Sequence, residues 1–369
     1  MRVICVAGAR PNFMKISPIV RALRAAGHTP VLVHTGQHYD LQMSGAFFQD
    51  LDLPAPDFDL EVGSGSHAQQ TARVMERFEP IVVQVRPDWV IVVGDVNSTL
   101  ACALVTAQLR PALGCRLAHV EAGLRSHDWT MPEELNRAVT DRVADLLLTP
   151  SADAEPNLAR EGLDDRAVFV GNVMIDTLLH QLARAQALDV PGRLGLERGA
   201  YAVCTIHRPS NVDDPDALSV ILTGLARISR ELPVVLPIHP RTLKNAEAFG
   251  ARELLASLRV SDPLGYREML SLTDGAAVVL TDSGGLQEET TVLGVPCVTL
   301  RAQTERPSTI THGTNRLAPW PLTVDGIVDA CRSAKAVGRR GLGERVPEGW
   351  DGQAAARVVA ALDAAKGPK

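Results

Sequence analysis

The chain has 369 residues, of which 46% are hydrophobic and only 4% are aromatic. This length exceeds the usual size of one domain, so we expect two domains with cores filled mainly by aliphatic side chains. The net charge of −6 argues against a nucleic-acid partner and against binding to an acidic membrane surface. An anionic ligand would need local basic residues and backbone N–H groups.

The six cysteines include no C-x-x-C pair, and Cys5, Cys102, Cys204 and Cys297 lie in apolar runs. They are predicted to be small core residues in a reducing compartment. The chain enters a strand-like run at once, without the apolar region of a signal peptide. It also lacks an apolar run of about 18 residues. We therefore expect a cytoplasmic protein without a membrane span.

The first half of the chain alternates between strand-like and helix-like runs. Predicted strands cover residues 3–7, 30–35, 89–93, 116–120, 146–149 and 168–170, and predicted helices cover 12–26, 99–110 and 133–145. This alternation predicts right-handed βαβ units and a doubly wound parallel sheet.

The pattern restarts after a break near residues 171–174. Predicted strands cover residues 201–206, 234–238, 276–281 and 297–300, and predicted helices cover 216–232, 266–272, 286–293 and 324–336. We expect an α/β protein with two Rossmann-like, doubly wound parallel-sheet domains and an interdomain cleft. The domains would be 1–170, joined by a C-terminal helix at about 353–369, and 171–352. Ligand sites are expected at the carboxyl ends of the strands.

Several carboxylates follow the predicted strands of the first half. Asp95 follows the strand 89–93, Glu121 follows 116–120, and Glu133 opens the next helix. Carboxylates at such positions, beside guanidinium groups, are typical of proton-transfer sites. For Glu134 and Arg142, we expect instead a solvated helix face with salt bridges.

The loop from Gly8 to Lys15 joins the first strand to the first helix. Free N–H groups at the helix start favour an anion, and Arg10 and Lys15 add positive charge at the same end. The loop lacks the GK[ST] ending of a Walker A motif and is not GxGxxG. It predicts a phosphate or carboxylate site, the alternative being an ordinary turn with exposed cations.

The second such loop runs from Thr281 to Glu289 and follows a predicted strand. Ser283 is placed to cap the helix, and Gly284 and Gly285 allow a diphosphate to approach the backbone. One of Glu288 and Glu289 could reach ribose hydroxyls, as acidic residues do in nucleotide-binding folds. Pure helix capping is the alternative. Two such loops suggest a nucleotide diphosphate between the halves.

Two histidines end predicted strands of the second half. His207 and His239 are plausible donors to a phosphate or sugar oxygen, and a purely structural histidine is the alternative for each. His34 and His38 have i,i+4 spacing but straddle a strand end and a turn, so we predict no metal site.

In this order, these motifs resemble those of the non-hydrolysing UDP-N-acetylglucosamine 2-epimerases. The matching segments span nearly the whole chain: Gly8–Pro11, Gly36–His38, Gly94–Asp95, His119–Arg125, Pro132–Arg137, Gly171–Asn172, His207–Arg208, Asp282–Glu289 and Thr304–Pro307. One motif alone would be weak, whereas the ordered set is specific.

The resemblance implies a GT-B-like fold, a homodimer, a UDP-sugar substrate and no cofactor. It implies inversion at C2 of the sugar by anti elimination of UDP and re-addition through a 2-acetamidoglucal intermediate. By position, the acid/base carboxylates would be Asp95, Glu121 and Glu133, and His207 would act beside them. The expected substrate contacts are Arg10, Lys15, Arg137, His239, Tyr266, Met269, Ser283, Gly284, Gly285, Glu289 and Arg306.

The chain departs from the family pattern at several points. Ala9 replaces the usual Thr, and Met269 occupies the place where an aromatic commonly meets uracil, with Tyr266 one turn before. The segment 126–131 is short, as in a subgroup that includes epimerases of diacetamido-uronic acid nucleotides. The glutamines that bind an allosteric UDP-GlcNAc in some members have no clear match after His38. The alternatives are therefore a diacetamido-glucuronate epimerase, a hydrolysing epimerase, a GT-B glycosyltransferase and a UDP-sugar sensor.

Overall fold

The computed structural model describes residues 1–37 and 50–365. The chain forms two compact units: the first comprises Met1–Leu179 and Glu348–Lys369, and the second comprises His180–Pro347. His38 and residues 366–369 of the predicted tail helix lie outside the described residues.

The first unit contains a seven-stranded parallel sheet in the order β3-β2-β1-β4-β5-β6-β7. Its strands are β1 (Arg2–Ala7), β2 (Thr29–His34), β3 (Phe58–Asp59), β4 (Trp89–Val93), β5 (Arg116–Val120), β6 (Leu146–Thr149) and β7 (Ala167–Phe169). The chain builds outward from β1 on one side and then crosses to β4 on the other. This reversal opens a crevice at the carboxyl ends of β1 and β4.

Helices cover the faces of this sheet. They are α1 (Arg10–Ala25), α2 (His67–Val85), α3 (Asn97–Leu113), α4 (Pro132–Val143), α5 (Glu155–Arg160) and α6 (Val173–Ala187), of which the last continues into the second unit. Local signals set their ends. Ser66 and Gln69 form a capping box at the start of α2, and Gly114 ends α3 in the left-handed region.

The second unit contains a six-stranded parallel sheet in the order β10-β9-β8-β11-β12-β13. Its strands are β8 (Ala202–Thr205), β9 (Val234–Pro237), β10 (Arg259–Ser261), β11 (Val278–Thr281), β12 (Cys297–Thr299) and β13 (Asn315–Leu317). Its further helices are α7 (Val190–Arg193), α8 (Pro209–Val212), α9 (Pro215–Ile228), α10 (Pro240–Ala248), α11 (Arg252–Leu255), α12 (Tyr266–Asp274), α13 (Gly284–Leu293), α14 (Ser308–Thr311) and α15 (Val324–Val337). The predicted pair of Rossmann-like, GT-B-like parallel-sheet domains is confirmed.

The cores are aliphatic, as the composition requires. Ile4, Val90 and Leu117 are fully buried in the first sheet, and Leu236 and Leu280 are buried in the second. All six cysteines are free and buried, which confirms the prediction that the four in apolar runs are core residues. Within the described ranges, no helix has the length and apolar character needed to span a bilayer.

The C-terminal helix α16 (Ala354–Ala364) belongs to the first unit and packs on α1. The buried carboxylate of Asp176 caps it, accepting the N–H groups of Ala354 at 3.1 Å and Ala355 at 2.7 Å.

Asp176→Ala should therefore lower the unfolding free energy by about 1–3 kcal/mol, because two buried donors lose their acceptor. Urea denaturation checks this value. The control Asp351→Ala removes a surface ion pair with Arg357 and should lose less than about 1 kcal/mol. Equal losses in the two variants would contradict the capping role.

Candidate active site

The site in the first unit lies where β4 and β5 end side by side. Val93 and Val120 are paired across the two strands, so Gly94 and Glu121 both follow directly. The Gly94 N–H donates to the Val120 carbonyl at 3.1 Å. Asp95 and Glu121 are therefore brought to one edge of the sheet, as the sequence predicted for carboxylates at strand ends.

Glu121 adopts a left-handed backbone conformation with φ of 72°, which is uncommon for a residue with a side chain. Its buried carboxylate forms an ion pair with Lys15 from α1, which is also buried. The alternative of an exposed cation is therefore wrong for Lys15. Its ammonium group offsets a carboxylate charge as well as standing at the start of α1. The side chain of Arg10 lies outside what the structure describes.

Gly94 makes room for this ion pair. Its φ is +68°, and a Cβ atom there would stand 2.9 Å from Lys15 Nζ and 3.6 Å from Glu121 Oε2.

Gly94→Ala should lower the unfolding free energy by about 1–3 kcal/mol and also reduce turnover, because the backbone is strained and Lys15 is displaced. Gly114→Ala is the matched control, since Gly114 has the same φ and open space around it. If urea melts and rate assays found the two variants alike, the packing argument would be wrong.

Helix α4 brings further side chains to Asp95. Glu133, Asn136 and Arg137 have the i, i+3, i+4 spacing that places residues on one helix face. Arg137 forms an ion pair with the half-buried Asp95 carboxylate, and Asn136 donates to the Asp95 carbonyl at 2.8 Å. Glu133 is half-buried and makes no hydrogen bond or ion pair with any described residue.

Glu134 is not on a solvated face, and this part of the prediction is wrong. Its buried carboxylate accepts the N–H groups of Ser126 and His127 at 2.9 Å, the Ser126 hydroxyl at 2.9 Å, and Arg137 at 2.7 Å. Burial raises the pKa of Glu134, but these donors outweigh burial and hold the pKa below its usual value. Glu134 thus ties the segment 126–131 to the arginine that holds Asp95. Arg142 is exposed as expected.

Helix α4 buries polar side chains and exposes an apolar one, which is the reverse of the usual amphipathic pattern. Its buried residues are Glu134, Asn136, Arg137, Thr140 and Asp141, whereas Leu135 is 50% exposed. Buried polar groups are costly unless hydrogen-bonded, so such a stripe marks a functional site more often than a plain core.

The second unit has a comparable arrangement where β8 and β11 end. Thr205 and Thr281 are paired across the strands, and the segments carrying His207 and Ser283 follow them. The buried Asp282 carboxylate pairs with His207 Nδ1 at 2.9 Å and accepts the backbone N–H groups of His207 and Arg208. Burial raises the pKa of Asp282, but His207 and these N–H groups hold it below its usual value. No role was predicted for Asp282, although it lies two residues before Gly284 in the predicted loop.

The start of α13 carries the predicted anion-binding loop. Ser283 occupies the N-cap position, but its hydroxyl does not cap the helix. Arg306 lies over Gly284, where a Cβ atom would stand 2.6 Å from the guanidinium, and it donates to Glu288 at 2.7 Å. A cation at a helix N-terminus is unfavourable for the helix dipole, and an anionic ligand would offset this. Gly285 is partly exposed beside it.

Glu289 is the second acidic residue of this helix and is buried beside Tyr266. Burial raises the pKa of Glu289 to about 7; the hydrogen bond from Tyr266 lowers it and the charge of Glu288 raises it further. Tyr266 is therefore a buried partner of Glu289 and shows little ring surface, whereas Met269 is half-buried. Of these two residues, which the sequence analysis considers for contact with uracil, Met269 is the more accessible.

His239 is exposed and occupies the N-cap position of α10, where its Nδ1 accepts the N–H of Arg241 at 3.2 Å. This is the structural role that the sequence left open, and ligand binding by His239 stays a prediction. Among residues 1–37 and 50–365, no group of three or more His, Cys, Asp or Glu side chains is arranged to hold a metal ion.

Comparison with known proteins identifies the family. The family model described as UDP-N-acetylglucosamine 2-epimerase matches residues 21–363. The chain belongs to this family. It is therefore an isomerase of the epimerase type, and the resemblance seen in its motifs is confirmed.

Similar proteins with curated functions lie within this epimerase family. The UDP-N-acetylglucosamine 2-epimerase of Methanocaldococcus jannaschii is 40% identical over 326 residues, covering 86% of this chain and 88% of that protein. The UDP-2,3-diacetamido-2,3-dideoxy-D-glucuronate 2-epimerase of Pseudomonas aeruginosa is 41% identical over 339 residues, covering 90% and 92%. The crystal structure of the M. jannaschii enzyme with UDP-GlcNAc and UDP has a TM-score of 0.88 at 36% identity, covering 99% and 100% of the two chains.

Proposed function

We propose that this protein is a non-hydrolysing UDP-N-acetylglucosamine 2-epimerase that interconverts UDP-GlcNAc and UDP-ManNAc. The observation that carries the proposal is the set of three carboxylates, Asp95, Glu121 and Glu133, at neighbouring strand and helix ends of an epimerase-family chain. Glu121 and Asp95 each pair with a cation, whereas Glu133 pairs with no described cation, so the three carboxylates stand in different environments.

The chemistry requires this kind of arrangement. The C2 hydrogen of the sugar is weakly acidic because no carbonyl group is attached to C2. Its removal by a carboxylate must therefore accompany cleavage of the C1–O bond, whose electrons leave with UDP. A glycal with a C1–C2 double bond results. A second acid then returns a proton to the opposite face of C2 while UDP adds back to C1.

The environments of the carboxylates suit such proton transfers. Lys15 stabilises a negative charge on Glu121, and Arg137 does the same for Asp95. Glu133 lacks such a cation among the described residues, so it is the member best placed to carry a proton between steps.

We assign the leaving group to residues of the second unit. Gly284, Gly285 and Ser283 would present N–H and hydroxyl donors to the diphosphate, Arg306 would add charge, and Glu289 would accept from the ribose. His207 would donate from Nε2, since Asp282 already engages Nδ1. One well-aimed donor to a leaving charge contributes about 3 kcal/mol to catalysis.

We also propose a homodimer, which light scattering would test.

The test is NMR of UDP-GlcNAc in D₂O with the purified protein. An epimerase forms UDP-ManNAc and places deuterium at C2. A glycosyltransferase leaves the configuration unchanged, a sensor binds UDP without exchange, and a hydrolysing epimerase releases UDP and free N-acetylmannosamine. Any of these last three results would overturn the proposal.

A second substrate is favoured by a specific observation. The P. aeruginosa diacetamido-glucuronate epimerase is as similar to this chain as the M. jannaschii enzyme, and the segment 126–131 is short. Both nucleotide sugars should therefore be compared by kcat/KM in the same assay. A preference of about 10-fold or more for the uronate would assign the protein to that substrate.

A further inference from the structure

His119 is a buried histidine on β5 to which the proposed chemistry gives no role. Its ring is 0% exposed, and both nitrogens face acceptors. Nδ1 lies 2.5 Å from Asp141 Oδ1, and Nε2 lies 2.8 Å from the Gly94 carbonyl oxygen. The carbonyl can only accept, so Nε2 must carry a hydrogen.

His119 Nδ1 faces a carboxylate that is itself held in place. The other oxygen of Asp141 accepts the Gly123 N–H at 3.1 Å and pairs with Arg125 at 2.8 Å. Arg125 in turn pairs with Glu161 at 2.8 Å. Burial raises the pKa of Asp141, but the charges and hydrogen bonds of His119 and Arg125 outweigh it and hold the pKa below its usual value. Asp141 thus contacts both His119 and Arg125, and the His119 ring is fixed at both of its nitrogens.

His119 and Asp141 are hydrogen-bonded to the two segments that carry Asp95 and Glu121. His119 holds the Gly94 carbonyl, which belongs to the peptide unit leading into Asp95. Asp141 holds the Gly123 N–H, two residues after Glu121. Gly94 is thus fixed by β5 at both its N–H and its carbonyl, so the direction of Asp95 depends on the ring of His119.

We infer that His119, which is hydrogen-bonded at both ring nitrogens, is a positioning residue that fixes Asp95 and Glu121 relative to each other for proton transfer at C2. The inference rests on the proposed epimerase function. An asparagine at this position is shorter and carries its donors on one nitrogen, so it cannot hold both acceptors. A small misplacement of a reacting group can cost about 10²-fold in rate.

The experiment compares His119→Asn with His28→Asn in the full-length protein. His28 also forms a histidine–aspartate pair in the first unit, with Asp363 at 3.3 Å, but it touches neither carboxylate segment. We expect kcat and the rate of deuterium entry at C2 to fall about 10²-fold in His119→Asn. KM should change less than about 3-fold, because UDP contacts are assigned to the second unit. His28→Asn should lose stability only.

Nitrogen-15 NMR of the wild-type histidine rings provides a test independent of folding and turnover. His119 Nε2 should carry a hydrogen that exchanges slowly with solvent, because this nitrogen donates to the buried Gly94 carbonyl. A His119 Nε2 without a hydrogen would overturn the inference, as would normal kcat in a folded His119→Asn variant. An inactive wild-type protein that keeps this hydrogen would instead count against the proposed epimerase function alone.

Discussion

Glu133→Gln should lower kcat by about 10²-fold or more, the range typical of acid/base groups. The glutamine keeps the size of the side chain but can neither take nor give the proton. The unfolding free energy should change by no more than about 0.5 kcal/mol, because Glu133 is half-buried and makes no polar contact with the described residues. Steady-state kinetics and urea denaturation measure the two quantities.

Leu135→Gln provides the control on the same helix. Leu135 is 50% exposed, so the substitution changes the surface of α4 without touching its buried polar face. Turnover should be that of wild type. If Glu133→Gln also retained wild-type turnover and C2 exchange, Glu133 would have no role in proton transfer.

Glu289→Gln should make the protein more stable at pH 8 and weaken its binding of UDP. Burial raises the pKa of Glu289 from 4.5 to about 7, so the folded protein holds this proton where the unfolded chain has lost it. Between these values the folded state binds more protons, and its stability falls as the pH rises. Above about pH 7 the loss is complete, at about 3 kcal/mol. A neutral glutamine removes this loss.

The measurement is urea denaturation of wild type and variant at about pH 5 and pH 8. The stability advantage of Glu289→Gln should be small at the lower pH and largest at the higher one. UDP affinity should fall about 10-fold or more, since a carboxylate acceptor for ribose is lost. Glu268→Gln is the control, because Glu268 is accessible and pairs with Arg193 at the surface. A pH-independent advantage would show that Glu289 is ionised in the folded protein.

Much of the architecture follows from local pattern. Apolar runs of four to six residues predict the central strands, and glycine or polar residues mark their ends, which is why Asp95 and Glu121 could be placed at one edge of a sheet. The short edge strands β3, β10 and β13 span two or three residues, too few for a periodic pattern. The helix α2 was also missed, because its polar first half lacks a strong apolar stripe.

The partners of the site residues could not be predicted in the same way. Lys15 and Glu121 are over a hundred residues apart, and only the sheet order brings α1 beside the end of β5. The same holds for His119 with Asp141 and for His207 with Asp282. Glu134 was misjudged because charged residues on a helix usually face water. In the structure the neighbouring Leu135 is exposed instead, and the polar side of this helix faces inward.

The segment 126–131 is held by hydrogen bonds at its first two residues and is exposed at its middle. Glu134 fastens Ser126 and His127, whereas Trp129 in the middle is 67% exposed. The Glu134 contacts do not involve the Trp129 side chain. Laboratory evolution aimed at new sugar substituents can therefore begin at Trp129 and leave these contacts, and through them Arg137, in place.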